Sequence, residues 1–476
     1  MSDSVDRSWA VVPAQPALVK RLLPRRGFGG AGALGSLLAL VTLLLAGLAP
    51  QAAHAIPVFA RQTQQNCVTC HVGGQYPELT PYGRYFKLTG YTQGEKQTKP
   101  EGLGIPIAFS VQAGINRISK NDDGAGGEID ARNGRFAPDQ ASVYTGGQIS
   151  DNVGLFAQYT FAYDQGNSHN ATFGADNVDL RYADHLVNGS TDLIWGLSLN
   201  NNPGLTDIFN STPAWSYPFQ YSASGSATFL PKQTALEEVY GGGTARGLNA
   251  YLYLNKSFYG EFGTYSKAKG PFGILTYVSG ADPGHNGTQP LQGGNPYYRF
   301  AYTTEWGPSN LMIGAFGMNS KLDFVGDGTK TTYKDRALDA QYQYISDPHV
   351  ISAQLRHISE KINDESGQFA GPANLKSFYA KAMYVYRAKY GAALSYQSVK
   401  GTSDPLYGGL STGSADSSPN STVWTPGIFW QPLQNVRVTL YKTFFTKYLG
   451  GKDNYDGNGR NAKDNNSTYL YVWIDF

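Results

Sequence analysis

The stretch "NCVTCHVGG" (66–74) holds both cysteines of a 476-residue chain, with a histidine directly after the second. Three chemistries use such a pair: disulfide exchange, half of a zinc site, and covalent attachment of haem. Disulfide exchange sits at a strand-to-helix junction of a βαβ unit, and no such pattern surrounds Cys67. A structural zinc site needs four ligands. The chain has no third cysteine, and the next histidine is His169. Haem attachment needs only what is present. Cys67 and Cys70, one helical turn apart, add across two vinyl groups, and His71 is then placed as proximal ligand of the iron.

The partner of His71 across the iron is not evident. Beyond residue 55 the methionines are Met312, Met318 and Met383, all distant in sequence. Locally, Lys87, Tyr76, Tyr82, Tyr85 and Tyr91 are the alternatives, or the position is open; for the aromatics, packing around the porphyrin is the plainer role. A segment of about 35 residues is too small to bury a haem alone, so it must lean on a second surface.

The flanking elements supply that surface. Ahead of the motif, Lys20, Arg21, Arg25 and Arg26 precede the uncharged run "GALGSLLALVTLLLAGLAP" (32–50), and "AHA" (53–55) follows. Residues 1–55 thus read as a secretory signal cleaved after Ala55; an uncleaved anchor is the alternative, because the apolar run approaches the ~20 residues of a bilayer span. Either way the body of the protein leaves the cytoplasm.

Composition bounds that body. Gly 57 and Tyr 33 with only 16% charged residues suit many strands and turns rather than a helical enzyme. The net charge is +2, with no basic run in the body, which argues against a nucleic-acid partner. From about residue 105 the pattern has a period of two. "VGLFAQYTFAY" (153–163) alternates, "LNAYLYLNKSFYGEFGTY" (248–265) turns at Asn255-Lys256-Ser257, and "LDAQYQYISDPHVISAQLRHI" (338–358) turns at Ser346-Asp347-Pro348. Tight turns trade with long polar segments at 120–140, 266–295, 403–423 and 451–466. This predicts an all-β transmembrane barrel of about 16 antiparallel strands, with a wet lumen and a lipid-facing wall.

The ending "TYLYVWIDF" puts Tyr469, Tyr471, Trp473 and Asp475 on one face and Leu470, Val472, Ile474 and Phe476 on the other, as in a closing strand. "NNPGLTDIFNSTPAW" (201–215) breaks the strand rhythm and reads as an inward loop narrowing a pore. In the loop at 120–140, Asp122, Asp123, Glu128 and Asp130 could attract a metal cation, but they lack calcium-loop spacing and a solvated loop is the plainer reading.

Taken together, the chain resembles the outer-membrane monohaem cytochrome–porin fusions, a family that includes iron-oxidising outer-membrane cytochromes. The resemblance lies in "PVFARQTQQNCVTCHVGGQYPELTPYGRYFKLTGYT" (57–92), "NNNPGLTDIFNSTPAWSYPF" (200–219), "DAQYQYISDPHVISA" (339–353) and "DNNSTYLYVWIDF" (464–476). It implies an outer-membrane protein with a signal peptide at 1–55, a haem c segment at 56–100 and a porin-like barrel at 101–476. It also implies Cys67, Cys70 and His71 as the haem site, with Phe59, Arg61, Gln62, Pro81, Gly83, Arg84, Phe86, Lys87, Gly90 and Tyr91 around it. Arg84 or Lys87 would neutralise a propionate, although solvation at the surface is the plainer role for either. Gly83 and Gly90 are expected to permit tight approach to the haem or a turn. The implied function is electron transfer from an external donor, with ferrous iron leading, to a periplasmic c-type cytochrome or cupredoxin. As an enzyme it would be an iron:cytochrome oxidoreductase. The alternative is a channel for a small solute with the haem segment as plug or sensor.

Overall fold

A computed structural model describes residues 58–74, 76–94, 106–122, 127–129, 132–163, 171–213, 245–267, 277–278, 291–323, 327–409 and 413–476. The signal segment, Asp123 and Asp130 lie outside these residues.

Sixteen long antiparallel strands pair in sequence order, and the last pairs with the first. They are β1 (Ile107–Ile118), β2 (Phe136–Gln148), β3 (Val153–Tyr163), β4 (Ala171–Asn188), β5 (Thr191–Asn200), β6 (Ala245–Leu254), β7 (Phe258–Lys267) and β8 (Asn295–Trp306). Then follow β9 (Ser309–Leu322), β10 (Thr331–Ser346), β11 (His349–Asp364), β12 (Ala373–Tyr386), β13 (Tyr390–Gly401), β14 (Ser421–Leu433), β15 (Val436–Lys447) and β16 (Ser467–Asp475). A two-residue strand, Tyr277–Val278, adds to β4. Closure runs from Ser110 opposite Asp475 to Ile118 opposite Ser467, and the terminal Phe476 exchanges backbone hydrogen bonds with Phe109. Closure satisfies every edge, which a sheet in hydrocarbon requires.

Side chains alternate across the wall as the period of two predicts. On β10, Thr331, Tyr333, Asp335, Asp339, Gln341 and Gln343 are buried facing inward, whereas outward Leu338 is 65% exposed. Phe262, Phe300, Ile313, Leu355 and Ile428 continue this exposed apolar belt. Trp306, Tyr390 and Trp430 stand exposed at the strand ends, where an aromatic girdle meets the interface. No helix of the described residues is long and apolar enough to cross a membrane; the strands do so.

The two ends differ. At one, strands join through short turns at 149–152, 189–190, 255–257, 307–308, 347–348, 387–389 and 434–435; at the other the connections are long. In barrels of this type the short turns are periplasmic.

The sequence implies a wet lumen, and here the structure differs. The short-turn half is filled. Helices α1 (Val58–Thr63), α2 (Cys67–Cys70) and α3 (Pro81–Leu88) fold within the barrel, and the connection after β5, with a single helical turn α4 (Pro203–Thr206), packs beside them. Asn201, Thr206, Asp207 and Thr212 in that connection have no exposed surface. The expected inward loop is thus present over 201–213, and it closes on the N-terminal segment rather than ringing an open pore.

Candidate functional site

Each element of the N-terminal segment is held for a local reason. Thr80 caps α3, its hydroxyl accepting from Gly83 N at 3.1 Å, and Pro81 opens the helix where its missing N–H costs nothing. Gly83 lets α2 lie on α3: a Cβ there would meet the Cys70 carbonyl oxygen at 2.2 Å. Gly90 takes φ +71 and lies against Ala183 of β4, which fits the expected turn, whereas the close approach at Gly83 is to the Cys70 backbone. Phe59 packs on Phe86, Tyr91 and Phe156, with centroids 5.0, 5.2 and 5.8 Å away. The Gln62 amide donates to the carbonyls of Tyr91 and Gln93 at 2.7 and 2.8 Å.

The segment is fastened to the wall on all sides. Glu78 pairs with Lys381 of β12, both side chains being excluded from solvent, and accepts from Ser352 of β11. Tyr91 donates to Asp179 of β4 at 2.7 Å, and Tyr251 of β6 to the Leu88 carbonyl at 2.7 Å. Gln343 of β10 donates to the Leu79 carbonyl at 3.0 Å, and Gln431 of β14 to that of Gly74 at 3.3 Å. The inward loop adds Asn210, whose side chain accepts from Leu79 N at 3.0 Å.

Arg84 and Lys87 are not solvated, contrary to the plainer of the two expectations. Arg84 forks to Asn310 of β9 at 2.8 Å and Gln341 of β10 at 2.9 Å, and burial lowers its pKa. The Lys87 ammonium is taken by the carbonyls of Leu205 and Asp207; burial chiefly lowers its pKa, to about 8. Both cations join segment to barrel or loop, so a propionate would have to share them. Long-range partners, more than a hundred residues away in sequence, put these side chains inside.

The motif itself lies at the short-turn end. Cys67 and Cys70 are free thiols flanking one helical turn, Cys67 buried and Cys70 half-buried. Burial pushes the Cys70 thiol up to about 11 and raises Cys67 as well, keeping both protonated. His71 N closes the turn on the Cys67 carbonyl at 2.8 Å. Its Nδ1 is sealed from solvent beside the Pro77 and Glu78 backbone. Burial drives the ring pKa down to about 4, opposed by hydrogen bonding to the Pro77 and Glu78 backbone. Two thiols one helical turn apart with an imidazole directly after the second fit thioether attachment and proximal ligation of a haem c.

The other candidates for the iron's second side separate. Tyr76 lies on His71, centroids 4.3 Å apart, and donates to Cys67 Sγ at 3.0 Å. The Tyr91 hydroxyl is engaged by Asp179, Tyr82 is exposed, and Tyr85 faces His185 at 6.2 Å. Met312 and Met318 are buried in clusters away from the motif, whereas Met383 packs in the cluster that contains Val72, next to His71.

The end of the barrel supplies neighbours that spacing does not reveal. Trp473 of β16 lies 5.8 Å from Tyr76, and the Arg437 guanidinium of β15 stands 4.6 Å over the Trp473 ring. Trp473 Nε1 donates to Ser110 and to Asp475 at 2.9 and 3.0 Å. Trp473 and Asp475 were placed on one strand face by periodicity; no sequence signal points to Arg437.

No family model matches the chain, and a search of curated proteins finds no match. Among solved structures it is similar to Salmonella typhi OmpF in complex with daunomycin, at 15% identity and TM-score 0.45, covering 78% of this chain and 97% of that one. It is also similar to an anion-selective porin from Comamonas acidovorans, at 14% identity and TM-score 0.42, covering 78% and 98%. The DcaP channel of Acinetobacter baumannii aligns at 12% identity and TM-score 0.45, covering 78% and 96%. The fold assignment rests on the strand pairing and closure of the chain itself: it is a porin-like, outer-membrane-type β-barrel.

Proposed function

We propose that this protein is an outer-membrane electron-transfer barrel, in which Cys67 and Cys70 hold a haem c by two thioethers and His71 ligates its iron. Bound there, the haem supplies a one-electron redox centre. The observation that carries the reading is the lodging of the C-x-x-C-H turn inside a barrel, at its short-turn end. A bilayer is ~30 Å of hydrocarbon, and such a seat is open to a periplasmic carrier from below while the lumen reaches toward an external donor above.

The chain's own residues then do three things. They orient His71 through the turn closed on Cys67 and the Tyr76 ring lying on the imidazole. They exclude water by packing Val72, Phe86 and Leu88 in the barrel, which tunes the potential of any centre held there. They fix the segment through Glu78, Arg84 and Lys87, so that distances to both partners are constant. Ferrous iron is the leading donor and a periplasmic c-type cytochrome or cupredoxin the acceptor, making the activity that of an iron:cytochrome oxidoreductase.

The second reading, a gated solute channel with the N-terminal segment as plug, is favoured by the inner wall, where Asp335, Asp339, Arg299 and Arg356 all face inward. One experiment separates the two. One portion of the protein purified in micelles is denatured and extracted to reveal covalent haem, and a second, folded portion is titrated against Fe(II)/Fe(III) couples and a periplasmic carrier. Electron transfer predicts one covalent haem that exchanges electrons with both. Absence of covalent haem, or haem inert to both, leaves the channel.

A further inference from the structure

The inward face of β16 carries a column of oxidisable rings leading away from His71. Tyr76 lies 4.3 Å from His71, and Trp473 5.8 Å from Tyr76. Trp473 packs against the buried cluster of Tyr441, Tyr469 and Tyr471. Within that cluster Tyr471 stacks on Tyr469 at 5.0 Å, interplanar angle 19°, and Tyr441 meets Tyr469 edge-on at 5.5 Å. Alternate positions of a strand share a face, so Trp473 to Tyr469 covers about 13 Å along the wall at 3.3 Å per residue. Tyr469 lies two residues from the loop-side end of β16 at Ser467. Beyond a gap along β15, Phe445, Tyr448 and Tyr455 continue at 5.2 and 4.9 Å into the long connection.

Two features accompany the column. Gly114 of β1 stands opposite Tyr471, where a Cβ would lie 2.6 Å from the Tyr469 ring, so the neighbouring strand leaves room for the stack. The Tyr469 hydroxyl donates to Asp139 of β2, buried beside it.

We propose that Tyr469, Tyr471, Trp473 and Tyr76 form an electron relay between the loop side of the lumen and the His71 site. This rests on the electron-transfer reading for its purpose. One electron entering at Tyr469 and leaving at Tyr76 returns the rings to their starting state, with no bond made or broken. With a photo-oxidised ruthenium polypyridyl complex as the oxidant, Tyr469 loses one electron to it through the rings and passes its phenolic proton to Asp139, which returns it when an electron donor re-reduces the ring.

The test uses the full chain folded in micelles without haem, as Cys67→Ser, with a ruthenium polypyridyl complex attached to Cys70. A flash in the presence of a soluble electron acceptor oxidises the complex, which then takes one electron from the protein. The relay predicts a tyrosyl radical at Tyr469, identified by its loss in Tyr469→Phe. Trp473→Phe and Tyr471→Phe keep ring volume but resist oxidation, so each abolishes the radical, while Tyr297→Phe, outside the column, preserves it. Heat-shifted electrophoretic mobility verifies that every variant is folded. A radical that persists in either Trp473→Phe or Tyr471→Phe, or no tyrosyl radical in the parent, overturns the relay. Because the reporter is a thiol label, the relay and the haem reading fail separately.

Discussion

Glu78 of the N-terminal segment and Lys381 of β12 form an ion pair from which water is excluded, 303 residues apart in sequence. A buried pair is costly to break because the survivor is left charged and unpaired, at about 3–5 kcal/mol. Glu78→Gln and Lys381→Met should each loosen the segment by that order. The double variant should recover part of the loss. Protease protection of residues 58–94 in rising urea measures this, with the barrel's heat-shifted mobility unchanged.

Arg84 is joined to Asn310 and Gln341 by the two prongs of its guanidinium. Lysine keeps the charge but not the planar fork. Hydrogen bonds to charged groups contribute about 1.5–3 kcal/mol, so Arg84→Lys should weaken segment docking within that range. The same urea series reads it. Protection equal to the parent's would contradict the anchoring role.

Asp207 organises the inward loop. Its carboxylate accepts from the backbone of Phe209, Ser211 and Thr212 at 2.9, 2.9 and 3.1 Å and faces Arg299 at 3.3 Å, while Arg299 also pairs with Asp339 at 2.6 Å. Asp207→Asn removes the charge from a site where both partners are fully buried. Planar-bilayer recordings should show a low, steady conductance in the parent and larger, fluctuating openings in the variant.

Cys67→Ser should leave a single thioether through Cys70. The expected result is haem attached through one bond, read by mass spectrometry of the Cys70 peptide, with barrel insertion preserved. The strand pairing that closes the barrel involves no residue before Ile107, which is why folding should survive. A barrel that fails to fold would make the segment part of the structural core.

Most of the wall was legible because a two-residue period is local. The turns at 255–257 and 347–348, the closing strand and the inward loop at 201–213 follow from short stretches of sequence. The C-x-x-C-H turn was legible for the same reason. What lay out of reach was every contact set by closure: Glu78 with Lys381, Arg84 with Gln341, and Arg437 over Trp473. Such pairs depend on which strands face one another across the lumen, and no period carries that information. Arg84 and Lys87 show the consequence. As sequence they are surface cations beside a haem motif; as structure they are buried fasteners.

In the proposed function, electrons pass through this barrel between two compartments. The direct measurement places the full-length, haem-loaded protein in sealed vesicles of known orientation, with a periplasmic-type c cytochrome trapped on the short-turn side and ferrous iron added on the loop side. The account predicts reduction of the trapped cytochrome that depends on Cys67, Cys70 and His71 and proceeds without leakage of small solutes. Solute leakage with no reduction of the trapped cytochrome would contradict it.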